Sequence, residues 1–131
     1  MQRMNVKPVV SIVDDDFSVR DATRNLLRLN GYDVHAFESA EDFLRSTTLP
    51  ETDCLIADVK MPRMGGLALR EHLLAIGFDI PTIFVTAFPE PATRERALGG
   101  GAICFLDKPF DGWVLIRFIE KAIGRSKLED S

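Results

Sequence analysis

Residues 9–16 read VVSIVDDD, an apolar run that ends in three consecutive carboxylates. Five residues are too few for a helix, and β-branched residues dominate this run, so it predicts a buried strand. Four similar runs follow it, and we predict strands at Val9–Val13, Tyr32–Ala36, Cys54–Ala57, Thr82–Thr86 and Ala102–Leu106. The carboxylates therefore lie at the carboxyl end of the first strand, where open α/β sheets bind their ligands.

Helical patterns separate these runs. We predict helices at residues 17–30, 39–47, 65–76, 90–99 and 111–123. The apolar stripe of the first helix is predicted to consist of Val19, Ala22, Leu26 and Leu29. Ser39 and Asp111 are predicted N-caps, and Gly31 is predicted to close the first helix in a left-handed conformation.

The strict alternation of strand and helix predicts a parallel sheet with helices on both faces. In residues 32–36, Asp33 and His35 alternate with apolar residues, which is typical of an edge strand. The predicted fold is α/β, a flavodoxin-like doubly wound sheet of five parallel strands in the order 2-1-3-4-5 with five helices. Ligands are expected between the first and third strands, where the strand order reverses.

Length and composition describe one soluble domain. The chain has 131 residues, 46% hydrophobic and 27% charged, and we assign residues 1–8 to an N-terminal extension, residues 9–124 to the domain and residues 125–131 to a polar tail or linker. With 16 basic and 20 acidic residues the net charge is −4, so we expect DNA contact only through an output domain elsewhere.

The expected location is the cytoplasm. No apolar run reaches the roughly 18 residues that a membrane span needs, and residues 1–8 lack the apolar stretch of a secretory signal. Cys54 and Cys104 lie in apolar runs and are predicted to be buried thiols rather than a disulfide. His35 and His72 are expected at the surface, and Gly99–Gly101 at a chain reversal.

Three carboxylates are expected to share one edge of the sheet. Asp14 and Asp15 follow the first strand and Asp58 follows the third, whereas Asp16 is better placed to cap the first helix. Crowded carboxylates repel one another unless a cation relieves them, and an oxygen-only site suits Mg²⁺. Thr86 ends the fourth strand and Lys108 follows the fifth, at the same edge. Together these groups outline an aspartyl-phosphate site.

The sequence resembles the receiver domain of two-component response regulators from Val9 to Ile123. The matching segments are IVDDD at 12–16, DVKMPRMGG at 58–66, VTA at 85–87 and FLDKPF at 105–110. The details resemble the nitrogen-fixation subgroup, whose receiver normally precedes a LuxR-type DNA-binding domain. A flavodoxin would need a Gly- and hydroxyl-rich loop in place of Asp14–Asp16, and an aspartyl phosphatase of the haloacid dehalogenase type would need an acid in place of Lys60.

The resemblance implies a role for each matching residue. Asp58 would accept a phosphoryl group from a sensor histidine kinase. Mg²⁺ would be held by Asp15, Asp58 and the backbone carbonyl of Lys60, with Asp14 acting through water. The domain would be no enzyme in the usual sense, because it would catalyse only its own phosphorylation and dephosphorylation.

The resemblance also implies how the signal is kept and passed on. Thr86 and Lys108 would bind the phosphoryl group, Thr86 and Phe105 would form the switch, and Lys108–Pro109 would be a cis peptide. Lys60 and Phe88 would flank the path of the hydrolytic water. The face formed by the fourth helix, fifth strand and fifth helix would change shape, giving a phosphorylation-dependent homodimer or control of a transcription output domain. The alternative is a single-domain regulator that acts by protein–protein contact.

Overall fold

A computed structural model describes the backbone of residues 7–130 and the side chains of residues 7–124. Within that part of the chain, five strands alternate with five α-helices. The strands are β1 (Val9–Val13), β2 (Asp33–Phe37), β3 (Cys54–Asp58), β4 (Thr82–Thr86) and β5 (Cys104–Asp107). The helices are α1 (Phe17–Leu29), α2 (Ala40–Leu44), α3 (Gly66–Ala75), α4 (Pro91–Gly99) and α5 (Gly112–Asp130). Most of the proposed N-terminal extension, and Ser131, lie outside the described residues.

The sheet confirms the predicted fold class. All four neighbouring pairs are parallel, and the order is β2-β1-β3-β4-β5. Every residue of β1, β3 and β4 is buried, as expected for strands covered on both faces. At the β2 edge Asp33 is exposed and Val34 is buried, but His35, Ala36 and Phe37 are all half-buried, so the predicted alternation is seen only at the start of the strand.

Two apolar layers hold the helices on the sheet. On one face, Leu27 of α1 and Ile119 of α5 pack against residues of β1, β3 and β4. On the other face, Phe43 of α2 and Leu69 of α3 pack with Phe84 of β4. No helix in the described part of the chain combines the length and apolar character needed to cross a bilayer.

Several element boundaries differ from the predicted ones. The second helix ends at Leu44 instead of residue 47, and the chain continues through a 3₁₀ turn at Leu49–Glu51. Strand β2 starts at Asp33 because the N–H of Tyr32 bonds the carbonyl of Leu27 and closes α1. Strand β5 likewise starts at Cys104, since the N–H of Ala102 bonds back to Ala97 of α4.

Helix α5 runs seven residues past its predicted end at Ile123. The backbone remains helical through Gly124 to Asp130, within residues that the sequence assigns to a polar tail or linker. A glycine ends a helix only where the chain turns away in a left-handed conformation, and Gly124 has no positive φ. The Arg, Lys, Leu and Glu residues that follow it are good helix formers.

The buried face of α1 differs from the predicted stripe. Leu29 is 87% exposed and Ala22 is also exposed, whereas Thr23 and Leu27 are buried and Leu26 is half-buried. The residues that face the sheet are thus spaced three and four apart around Thr23, a polar residue that apolar periodicity does not register. The predicted caps are confirmed: Ser39 accepts from the N–H of Asp42, Asp111 from Trp113, and Gly31 has φ +90°.

The start of α3 lies against the backbone of Asp58, and this close approach gives a testable prediction. A Cβ on Gly66 would lie 2.6 Å from the carbonyl oxygen of Asp58 and 3.2 Å from the ring of Phe84. We expect Gly66→Ala to lower the free energy of unfolding by about 1–3 kcal/mol, because helix and strand must separate. Urea denaturation measures the change. Gly99→Ala, which adds a methyl in open space within α4, should be neutral or stabilising; equal losses in both variants would contradict the argument.

Candidate functional site

Three carboxylates meet at the carboxyl ends of β1 and β3. Asp14, Asp15 and Asp58 each place one carboxylate oxygen within 4.8 Å of the others. Asp14 is 1% exposed and Asp58 is 5% exposed, whereas Asp15 is open to solvent. The structure thus brings together the three acids that the sequence placed at this edge. Two of them are buried, which sets the chemistry of the cluster.

Local backbone hydrogen bonds fix the two buried acids. The N–H of Asp16 donates to Oδ1 of Asp14 at 2.9 Å, and the N–H of Lys60 donates to Oδ1 of Asp58 at 3.1 Å. Nη1 of Arg20 donates to the carbonyl of Asp14 at 2.6 Å. The carboxylate of Asp16 points away from the cluster and caps α1. Asp16 is therefore the helix cap, as the sequence indicated.

Lys108 follows β5 and links the two buried carboxylates. Its Nζ lies 2.8 Å from Oδ2 of Asp14 and 3.1 Å from Oδ2 of Asp58. The side chain is 10% exposed, and the peptide bond between Lys108 and Pro109 is cis. One ammonium thus faces a cluster of three carboxylates, so ionised acids leave the cluster with excess negative charge.

The pKa shifts follow from this crowding. Burial, and then the charge of Asp14, raise the pKa of Asp58 to about 6, although the hydrogen bonds from Lys60 and Lys108 act in the opposite direction. Burial alone would lower the pKa of Lys108, but its contacts with Asp14 and Asp58 outweigh burial and raise that pKa. Lys108 therefore stays an ammonium, and a further cation would favour ionised Asp58.

The donor set fits a hard divalent cation. The cluster offers carboxylate oxygens and contains no His or Cys, which suits Mg²⁺ better than zinc. Because Asp15 is exposed, an ion can reach the cluster from solvent. His35 lies on β2, 3.4 Å from Asp33, and His72 lies exposed on α3, so neither belongs to this site.

Thr86 and Phe105 lie on the two strands beyond Asp58. Thr86 is fully buried at the end of β4, and its Oγ1 accepts from the N–H of Phe88 at 3.1 Å. Phe105 pairs with Phe84 across β4 and β5 and is 4% exposed. The guanidinium of Arg94 lies 6.0 Å from the Phe105 ring centroid, and its Nη1 donates to the Phe105 carbonyl at 3.2 Å. Phe105 is thus already buried in this conformation, with α4 held over it.

The side chains of Lys60 and Phe88 contact each other. Nζ of Lys60 lies 5.5 Å from the Phe88 ring centroid and 3.1 Å from Oε1 of Glu90. Sequence reasoning singled out Lys60 and Phe88 but missed Glu90 and Arg94. Both missed residues belong to the polar start of α4. No local sequence pattern predicts that their charged groups contact residues of other elements.

Comparison with known proteins identifies the family. The model of the response regulator receiver domain matches residues 10–123. The five-stranded parallel sheet is thus the fold of a family of phosphorylation-dependent signalling domains. This chain belongs to the response regulator receiver domain family, as its resemblance predicted.

Relatives and solved structures agree with this assignment. Nodulation protein W of Bradyrhizobium diazoefficiens is 37% identical over 94% of this chain and 54% of its own length. Transcriptional regulatory protein FixJ of Rhizobium meliloti is 35% identical over 86% of this chain and 55% of its own length. The crystal structure of FixJ-N has a TM-score of 0.79 and 34% identity, covering 95% of this chain and 96% of that chain. The chain spans about half the length of the curated relatives that it matches.

The buried Asp58 carboxylate predicts a pH-dependent stability. Because the folded-state pKa lies above the ordinary value of 3.8, folded protein binds the Asp58 proton more tightly than unfolded protein does. Ionised Asp58 therefore destabilises the metal-free fold, increasingly as pH rises from about 4 and fully above about 6. We expect Asp58→Asn to raise the free energy of unfolding by about 1–2 kcal/mol above pH 7.

Thermal unfolding of both proteins in excess chelator, measured from pH 4 to pH 8, tests this expectation. The two melting temperatures should converge towards the acid end of the range, where the wild-type carboxyl is already neutral. A difference that is constant with pH would show that ionisation of Asp58 is not its cause.

Proposed function

We propose that this domain is a phosphorylatable switch that accepts a phosphoryl group from a sensor histidine kinase onto Asp58. The observation that carries the proposal is the position of Asp58 itself, buried at the sheet edge within hydrogen-bond distance of the Lys108 ammonium. Membership of the receiver family supports the same assignment. A buried carboxylate with a partner cation and a raised pKa is characteristic of a reactive group rather than a surface ion pair.

The chemistry is a transfer between two protein side chains. An oxygen of Asp58 attacks phosphorus, the bond from phosphorus to the kinase histidine breaks, and the histidine leaves as neutral imidazole. Lys108 would pair with a phosphoryl oxygen, and the Thr86 hydroxyl would donate to another. Asp15, Asp58 and the Lys60 carbonyl would hold Mg²⁺ with Asp14 acting through water, and the ion would neutralise phosphoryl charge.

The kinase must dock in order to reach Asp58, because that side chain is almost fully buried. A groove of about 350 Å³ lies between α1 and the β5–α5 loop, next to Lys108. Its apolar lining is formed by Val19, Ala22, Leu26, Pro109 and Phe110. Ala22 is exposed, contrary to the predicted stripe of α1, and its exposure is consistent with a partner binding to this side of the helix. We place the kinase contact in this groove.

The relatives support a proposal for the output. Two of them are named transcriptional regulatory proteins, and the match covers only 52% and 55% of their lengths, so we propose that this receiver controls a transcription output domain in the cytoplasm. The formal charge of −4 leaves DNA binding to that output domain. Lys60 and Phe88, two residues beyond Asp58 and Thr86, would set how long the phosphoryl group survives.

Phosphorylation of Asp58 can be measured directly. Incubation with acetyl phosphate and Mg²⁺ should add one phosphoryl group to the wild type, as read by intact mass, and none to Asp58→Asn. Excess chelator should prevent labelling. Asp15→Ala should need more Mg²⁺ for half-maximal labelling, since hard-cation affinity depends on ligand charge. Labelling of Asp58→Asn, or full labelling in chelator, would refute the assignment.

The signal is proposed to leave through Thr86, Phe105 and the face of α4, β5 and α5. Helix α4 has one buried residue, Ala97, so little apolar burial opposes its movement. When Thr86 donates to a phosphoryl oxygen, the space beside Phe105 changes and the Arg94 contact over that ring must adjust. A second copy could then bind the altered face.

We expect the wild type to be mainly monomeric and to dimerise reversibly with beryllofluoride, a phosphoryl mimic. Sedimentation velocity of wild type and Thr86→Ala at matched beryllofluoride occupancy tests this route. Thr86→Ala should dimerise less, because it lacks the hydroxyl that responds to the bound group. A wild type that gains no mass would exclude dimerisation as the signal, and equal dimerisation of the two proteins would exclude the Thr86–Phe105 route.

A further inference from the structure

The loops after β3 and β4 are joined by side chains that the phosphorylation chemistry does not use. The Lys60 ammonium contacts the Phe88 ring and pairs with the carboxylate of Glu90. We call these three residues the strap. Lys60 belongs to the loop that follows Asp58, whereas Phe88 and Glu90 belong to the loop between Thr86 and α4. The strap therefore connects these two loops through their side chains.

Both loops also donate backbone hydrogen bonds to side chains of the site. The N–H of Lys60 donates to the Asp58 carboxylate, and the N–H of Phe88 donates to the Thr86 hydroxyl. The backbones of Lys60 and Phe88 are thus tied to the two side chains between which a phosphoryl group would lie. The side chains of Lys60 and Phe88 are exposed and contact each other, so the strap joins the solvent-facing residues beside Asp58 and Thr86.

Glu90 occupies a position where a different contact would be expected. It is the N-cap residue of α4, yet its side chain makes no capping hydrogen bond, and its carboxylate is directed to Lys60 instead. An N-cap side chain normally satisfies the free N–H groups of the first turn. Here Pro91 supplies the first helical position and has no N–H, which lessens the need for a cap.

We propose that Glu90 is a positioning residue that holds Lys60 and Phe88 over the site and so prolongs the life of phosphorylated Asp58. The inference rests on the proposed phosphorylation of Asp58 and adds a residue that regulates it. In the loss reaction, water oxygen attacks phosphorus and the bond from phosphorus to the Asp58 oxygen breaks. Inorganic phosphate and the free carboxylate are formed, and the protons of the water pass to phosphate and solvent. A fixed strap limits the approach of that water.

The contact is exposed, so its effect is moderate and depends on salt. The side chains of Lys60 and Glu90 are 54% and 58% exposed. Ion pairs in such positions are weak and are screened by added salt. The proposal therefore predicts a lifetime that shortens in the wild type as ionic strength rises, and a smaller dependence once the pair is removed.

The test measures loss of the phosphoryl group by intact mass after acetyl phosphate is removed, at low and at high salt with Mg²⁺ present. We expect Glu90→Gln to lose the group roughly two- to fivefold faster than wild type at low salt, and at nearly the wild-type rate at high salt. Glu90→Asp keeps the charge but shortens the reach, and should also decay faster. Lys60→Met and Lys60→Met/Glu90→Gln should decay at the same rate, because the pair is absent from both.

Glu95→Gln is the matched control, since it removes the same charge from an exposed position of the same helix. It should keep the wild-type lifetime. Melting temperatures of the unphosphorylated variants separate an effect on lifetime from an effect on folding. Equal rates for wild type and Glu90→Gln, equal acceleration in Glu90→Gln and Glu95→Gln, or additive effects of the two strap variants would each overturn the proposal. A wild type that takes up no phosphoryl group would instead refute phosphorylation of Asp58.

Discussion

The rest of this site depends on one ammonium group placed between two buried carboxylates. Lys108 lies about 3 Å from both Asp14 and Asp58, and neither acid has another side-chain cation among the described contacts. Parallel strands bring their carboxyl ends to one edge, so acids that follow β1 and β3 are forced together whatever their mutual repulsion. One lysine offsets part of that repulsion and leaves the cluster anionic. The residual charge weakens the metal-free fold and favours binding of a cation.

Three turns of one kind support this arrangement. In each, the N–H of a residue two positions on donates to the side chain that ends a strand: Asp16 to Asp14, Lys60 to Asp58, and Phe88 to Thr86. Such turns fix a short polar side chain against its own backbone. They orient the reactive group inward and direct the residue two positions on outward. The exposure of Lys60 and Phe88 is therefore a consequence of the hydrogen bonds that fix Asp58 and Thr86.

The features that could be predicted from sequence are those that depend on short apolar runs and on residues adjacent to them. The composition of each short apolar run predicts a strand. The acids, Thr86 and Lys108 lie at or just after strand ends, so topology alone places them at one edge. The features that could not be predicted depend on distant partners. Burial of Thr23 rather than Leu29 depends on how α1 is rotated against the sheet. The contacts of Glu90 with Lys60 and of Arg94 with Phe105 join residues that no periodicity relates.

Those distant contacts explain why α4 is the element suited to move. The side chains of α4 and its N-cap contact the rest of the domain mostly through charged groups: Glu90 with Lys60, Arg94 with the Phe105 carbonyl, and Arg96 with Glu71. Ala97 is the single buried residue of the helix. At the far end, Arg70 of α3 donates to the carbonyl of Gly100 and anchors the turn that follows α4. Apolar packing resists displacement because it leaves a void, whereas exposed ion pairs can be exchanged at little cost in free energy. Helix α4 is thus anchored by a buried arginine at the turn that follows it and elsewhere by replaceable charges, an arrangement that would let it shift if Asp58 acquired a charged group.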